Sequence, residues 1–377
     1  MLQQKNNMEQ RYNQWKAMFA ITKASLKAIF RSPQSVFFSL FFPVILIVIF
    51  SALSSGRGIS LDVAIGSGSD TVNVIYKTIK NIRVLTIVKG SEEQLEDKLK
   101  KGRITAIIEI RQKVTDTMAI VGAAYDVHLR TTSAGQKDLP ILQTILRDVI
   151  GSINRQSSGS KEEFASVSVE EVPGRVYKMI DFYLPGMLGF SLMGAAVFGV
   201  AFVFFSFRET LVLKRMYSTP IRKKYIVLGE SIGRIIFQLT TAIVLILFGT
   251  LFYDFTLSNG WVTFIELIVL SLMGLIMFMG FGFIISSVAK NQNVIPIYAN
   301  LFMFPQYFLS GTFFPKGALP QAAQPIINLL PLTVLNDAMR KISFEGLHLW
   351  NAPKEIIVML VWILLIYTVA VKVFKWE

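Results

Sequence analysis

Arg208 to Tyr225 reads RETLVLKRMYSTPIRKKY and lies between two of the most apolar runs in the chain. Its cations, Arg208, Lys214, Arg215, Arg222, Lys223 and Lys224, cannot sit in hydrocarbon, where each costs about 2.5 to 3.5 kcal/mol at the bilayer centre. The stretch is therefore predicted to be an aqueous loop, and the positive-inside rule places so basic a short loop in the cytoplasm. Working outward, the whole chain is apolar in character. It has 377 residues, 53% of them hydrophobic and 17% charged, with a mean hydropathy of +0.51, which is too apolar for a soluble domain of this size. The net charge of +13 gathers at the ends of apolar runs, so membrane topology explains it better than a nucleic-acid partner does. No cysteine is present, which excludes disulfides, thiol catalysis and thiolate metal sites.

Upstream of the loop, Gln14 to Arg31 sets Trp15, Met18, Phe19, Ile21, Leu26, Ile29 and Phe30 against Lys16, Lys23, Lys27 and Arg31. This pattern predicts an amphipathic helix along the inner leaflet or, equally, the wet start of the first span. Residues 34–53 form that span, read as retained rather than as a signal peptide. Residues 54–178 change character. Strands at 61–65, 84–88, 105–110 and 125–129 alternate with helices at 72–82, 91–101 and 139–154, predicting a compact α/β domain outside the membrane. Gly151 to Lys161 reads as a linker, and Glu162, Glu163, Glu170 and Glu171 read as solvated surface. A bundle of five further spans follows, at about 182–207, 225–253, 261–289, 294–313 and 355–371. Short helices at 318–330 and 332–344, split by Pro331, dip into the outer face before the last span. The expected fold is thus an α-helical integral membrane protein with six spans and both termini inside.

The basic loop carries a resemblance. Arg208-Glu209-Thr210, Leu213-Lys214-Arg215 and Ser218-Thr219-Pro220 resemble the cytoplasmic loop of ABC-2 (type V) transporter permeases. Leu309-Ser310-Gly311-Thr312-Phe313-Phe314-Pro315, with Leu319-Pro320, Leu330-Pro331-Leu332-Thr333, Asp337 and Arg340, resembles that family's outer-face segment. Residues 54–178 are similar to the extracytoplasmic domain of its longer members. The resemblance implies a permease of the bacterial cytoplasmic membrane that binds no cofactor itself. Two separate ATPase subunits would hold ATP and Mg2+, and a second permease copy or paralogue would complete the pathway. A periplasmic adaptor would join where a second membrane exists. A rival from another class is a mechanotransmission permease, which moves nothing through its spans.

No G-x-x-x-x-G-K-[ST] occurs, so no phosphate-cradling loop is present. Coupling to an ATPase would fall to Arg208 to Pro220, with Leu211, Leu213 and Met216 for a groove and Lys214 and Arg215 for acidic neighbours. The same residues also read as a topological signal on anionic headgroups. Glu230 and Arg234, four apart on one helical face, either tie a span to this loop or snorkel to water. Glu266 is shallow enough to reach outer water. Asn300, Phe304, Gln306, Tyr307 and Phe308 give one span an aromatic, sparsely polar face, suited to amphipathic cargo or to ordinary packing. Gly311, Phe313, Phe314, Pro315 and Pro331 form a candidate outer-face gate, in which the glycine and prolines set backbone breaks. Gly186, Gly189, Gly194 and Gly199 allow close helix approach and offer a surface for a second copy. His128 and His348 lie in different regions without metal-ligand spacing, which leaves a hydrolase or protease without support.

Overall fold

The computed structural model describes residues 13–55, 61–82, 84–100, 102, 104–112, 125–132, 139–156, 165–172, 178–210, 221–316 and 319–373. The chain divides into two compact units, Ser54–Lys178 and the remainder. In chain order, α1 (Gln14–Phe30) is followed by one unbroken helical run made of an α-helical turn at Pro33–Val36, a π-helical stretch at Phe37–Phe41 and α2 (Phe42–Ser55).

The inserted unit contains β1 (Leu61–Ile65), α3 (Val74–Lys80), β2 (Leu85–Val88), α4 (Glu92–Lys100), β3 (Ala106–Gln112), β4 (Tyr125–Thr132), α5 (Leu139–Gln156) and β5 (Ala165–Val172). Its sheet has the order β2-β1-β3-β4-β5, antiparallel only between β3 and β4. Ile75 and Ile79 of α3 and Leu142 and Leu146 of α5 cover one face. Leu95 and Leu99 of α4 cover Ala64 and Ile107 on the other. The expected helix at 139–154 runs on to Gln156, into the stretch also read as a linker, because Val149, Ile150 and Ile153 are buried at helical spacing. Ala165 to Val172, where no strand was expected, is strand β5, paired with β4 in register His128 to Ser168. Its Glu170 lies 3.0 Å from His128 Nε2 and remains exposed. Glu162 and Glu163 lie outside the described residues.

The membrane unit continues with α6 (Met179–Glu209), α7 (Lys223–Tyr253), α8 (Trp261–Val288), α9 (Ile295–Leu309), the short α10 (Gln324–Ile327), α11 (Pro331–Ser343) and α12 (Pro353–Val373). Among the described residues, α6, α7, α8 and α12 are long and apolar enough to cross a membrane. The apolar Phe37–Ala52 segment and α9 are shorter. At 1.5 Å per residue the 15 residues of α9 reach about 22 Å, against roughly 30 Å of hydrocarbon. The helix stops at Leu309, short of the expected Phe313, because Gly311 turns the chain at φ +74°.

The outer-face pair also differs from expectation. Residues 319–330 hold only a 3-10 turn at Gln321–Ala323 and the four-residue α10. Pro331 occupies the first turn of α11 and starts that helix rather than splitting two. Nor does α11 skim a surface: Leu332, Thr333, Leu335, Asn336, Met339 and Ser343 are buried, and it packs against α6, α8, α9 and α12.

Arg340 of α11 locks this end of the bundle. Its guanidinium donates to Phe182 O at 3.0 Å and Gly311 O at 2.5 Å, and it stacks 4.1 Å from the Phe182 ring centroid. Asp337 takes an ion pair from Lys316, which also donates to Asn328. Nearby, the buried Asp181 accepts from Thr256 N at 2.8 Å and Thr256 Oγ1 at 3.1 Å.

The glycines expected to meet a second copy are used inside the chain. A Cβ at Gly186 would sit 2.9 Å from Thr312 O, and one at Gly194 would sit 3.1 Å from the Tyr307 hydroxyl. Side chains at Gly189 and Gly199 would collide with Asn336 and Arg234. The small residues bring α6 close to its own neighbours.

Candidate functional site

A cavity of about 880 Å³ lies within the membrane unit, between the π-helical stretch, α6, α7 and α9. Its walls are mostly apolar, with the aromatic rings of Phe38, Phe42, Phe190, Phe198 and Phe202 among them. The π turn matters here because its widened backbone leaves Ser39 O to accept the Ser191 hydroxyl at 2.7 Å. Gln238 of α7 donates to the same serine, to Oγ at 3.3 Å and O at 3.4 Å. A polar thread therefore ties three segments together along an otherwise apolar wall.

Of the residues expected on the substrate path, Asn300, Phe304 and Tyr307 line this cavity. Gln306 does not: it is buried, and its Oε1 accepts Leu332 N at 3.1 Å, holding the first turn of α11. Phe308 points elsewhere and is largely exposed. Tyr307 packs 4.3 Å from Phe190, and Phe313 lies 5.9 Å from both Phe190 and Phe50. The expected gate residue Phe313 thus extends the cavity's aromatic wall, whereas Phe314 and Pro315 are exposed.

Arg234 reaches the cavity from α7. Its Nη2 pairs with Glu230 Oε1 at 3.1 Å, while Gly199 leaves the guanidinium room against α6. Both side chains are largely buried, 16% and 7% exposed, so neither reaches out to water. Glu266 is buried too, accepting from His348 Nδ1 at 3.1 Å and Leu349 N at 3.2 Å, and so joins α8 to the approach to α12.

Of the expected coupling loop, Leu211, Leu213, Lys214, Arg215, Met216, Ser218, Thr219 and Pro220 lie outside the described residues, but the residues flanking them do not. Arg208 donates to Ser287 O at 3.3 Å and Ala289 O at 2.7 Å, capping the C-terminus of α8 with a cation where the helix dipole favours one. Glu209 and Thr210 are exposed. On the far flank, Arg222 N donates to Gln14 Oε1 at 3.0 Å, and Trp15 meets Tyr225 edge to face at 5.6 Å.

These contacts begin a seam between α1 and α7 that sequence periodicity does not reveal. Trp15, Phe19 and Phe30, the large apolar residues, are about 60% exposed. The buried face of α1 is Met18, Thr22 and Ser25, spaced four and three residues apart, against Gly229 and Gly233. The Thr22 hydroxyl donates to Gly229 O at 3.0 Å, and a Cβ on Gly233 would come within 2.9 Å of Ser25 Cβ. The available signal was the Gly-x-x-x-Gly spacing at 229 and 233, a close-packing motif of membrane helices.

Long apolar helices closed around a greasy cavity, with a cation-rich stretch between two of them, define a multi-pass membrane protein of the permease class. The chain belongs to the ABC-2 family: the profile described as "ABC-2 family transporter protein" matches residues 33–372. It is also similar to "ABC transporter G family member 20" of Dictyostelium discoideum, 27% identical over 198 residues, which is 52% of this chain and 26% of that relative. The chain therefore spans only about a quarter of that relative's length.

Proposed function

We propose that this chain is the permease of an ATP-driven exporter carrying a lipophilic or amphipathic substrate, a drug, lipid or peptide, across the cytoplasmic membrane of a bacterium. In this reading six spans place both termini and Arg208 to Pro220 in the cytoplasm, with residues 54–178 outside. Two copies, or one with a paralogue, enclose the pathway, and two separate ATPase subunits bind ATP and Mg2+. The cavity carries the reading: aromatic side chains give adaptable apolar area, and a few polar groups on an otherwise apolar wall orient a substrate.

Coupling follows from the flanks of the loop. Closure of the ATPase pair pushes on residues 208–220. Arg208 passes that displacement to α8 as well as α6, and the Gln14 and Trp15 contacts pass it to α1 as well as α7. Packed helices respond by switching between discrete arrangements. The test is ATP-dependent export of a lipophilic dye from proteoliposomes holding this chain and its ATPase. Export that fails to appear, or that survives Phe304→Ala and Asn300→Ala with unchanged concentration dependence, would sink the proposal.

One observation favours a second reading: four described helices, not six, meet the length and apolarity needed for crossing, and a four-span mechanotransmission permease transports nothing. Reporter fusions after Lys290 and after Glu345 separate the two. Opposite sides support six crossings; a shared cytoplasmic side supports four.

A further inference from the structure

The cavity is lined by a single charged side chain among the described residues, Arg234. Glu230 engages only Nη2, and Nε is fully buried with no partner. One turn further along α7, Gln238 Oε1 is likewise buried and unpartnered. A buried donor or acceptor left unmade is costly, and among the described residues Arg234 and Gln238 are the ones with such an atom that also line the cavity. A guanidinium has five N–H donors in a planar fork, matched to carboxylate and phosphate oxygens. Glu230 balances the arginine's charge when the site is empty and lies outside the cavity lining.

From these observations we infer that the cavity is built for an acidic amphiphile. Its carboxylate or phosphate would meet the Arg234 guanidinium at Nη1, beside Gly199, and its apolar tail would run along Phe190, Phe304 and Tyr307. Gly199 and Phe190 both line the cavity nine residues apart on α6, about 14 Å of helix, which accommodates an acyl-sized tail. A cationic amphiphile would bring like charge to Arg234, and a neutral one would leave the fork unfilled. The inference deepens the exporter reading and rests on its cavity.

Matched probes test it on the full chain in nanodiscs with its ATPase. Oleate, oleyl alcohol and oleylamine share a tail and differ in head charge; oleoyl lysophosphatidic acid against monoolein adds the phosphate arm. In the unmodified protein each acid is expected to bind at least tenfold more tightly than its neutral partner, with oleylamine weakest. The arm with the larger ratio identifies the headgroup source. Arg234→Gln should bring the acid-to-neutral ratio to within twofold of one, Arg234→Lys should keep part of it, and Glu230→Gln should raise it. Equal binding of acid and alcohol by the unmodified protein, a comparison needing no variant, overturns the inference while leaving the exporter reading standing. Failure of every probe to bind also overturns the inference, and the exporter reading is then decided by the dye-export test.

Discussion

Two arginines in the membrane unit show how differently a buried charge can be used. Arg340 is saturated: two backbone carbonyls, an aromatic face and Asp337 at 4.0 Å account for its fork. Arg234 has one carboxylate, a glycine-made gap and an idle Nε. The first clamps the start of α6 and the Gly311 turn to α11, so its energy goes into fixing backbone. The second leaves donors uncommitted beside a cavity, so its energy remains available to whatever enters. A saturated charge reads as architecture and an unsaturated one as reception.

That contrast can be broken most directly at Arg340. Arg340→Met leaves two carbonyls without their donor while Asp337 keeps Lys316, and each buried group left unmet typically costs about 1 to 3 kcal/mol. The expected outcome is loss of a monodisperse peak and a large fall in melting temperature in detergent, whereas Arg234→Gln combined with Glu230→Gln, which leaves no buried charge unpaired, keeps both. Equal tolerance of the two changes would erase the distinction. Next in size, Gly233→Leu should push α1 off α7. Because the chain has no native cysteine, Trp15→Cys with Tyr225→Cys reports the seam directly, and the crosslink should vanish in the Gly233→Leu background. Arg208→Ala should leave the fold in place, losing about 1 kcal/mol for the missing cap, but reduce substrate-stimulated ATP hydrolysis several-fold. Unaltered stimulation would remove Arg208 from the coupling route. The smallest effect separates neighbours on α9: Phe304→Ala should weaken dye binding several-fold and Phe308→Ala by less than twofold, since only Phe304 lines the cavity.

What could be read from the sequence follows from which forces act locally. Helices α6, α7, α8 and α12 announce themselves through uninterrupted apolar runs, because hydrocarbon tests every residue in turn. In the inserted unit, α4 shows through acidic residues in its first turn and lysines in its last, while β5 carried the alternation of a half-buried strand at Ser166, Val167, Ser168, Val169 and Glu170, a signal too short and polar to stand out beside its acidic residues. The seam between α1 and α7 was hidden for the opposite reason: its buried contacts are made by small residues, while the conspicuous Trp15 and Phe30 touch Tyr225 and Phe237 only from its exposed rim. Asn300, Phe304 and Tyr307 were legible as an aromatic face, but nothing local could tell that Gln306 on the same helix serves Leu332 N. Such a pairing exists only once α9 and α11 are side by side.

The buried α11 has a consequence for biogenesis. A helix carrying Thr333, Asn336, Asp337 and Ser343 gains little by entering lipid alone, yet its burial depends on α6 and α8, which are made earlier, and on α12, which is made later. It must therefore wait at the aqueous boundary until α12 has emerged and then be drawn into a bundle already assembled around a vacancy of its shape. Truncation just before Pro353 should leave that segment open to proteases, with the maturation of the bundle resting on α12.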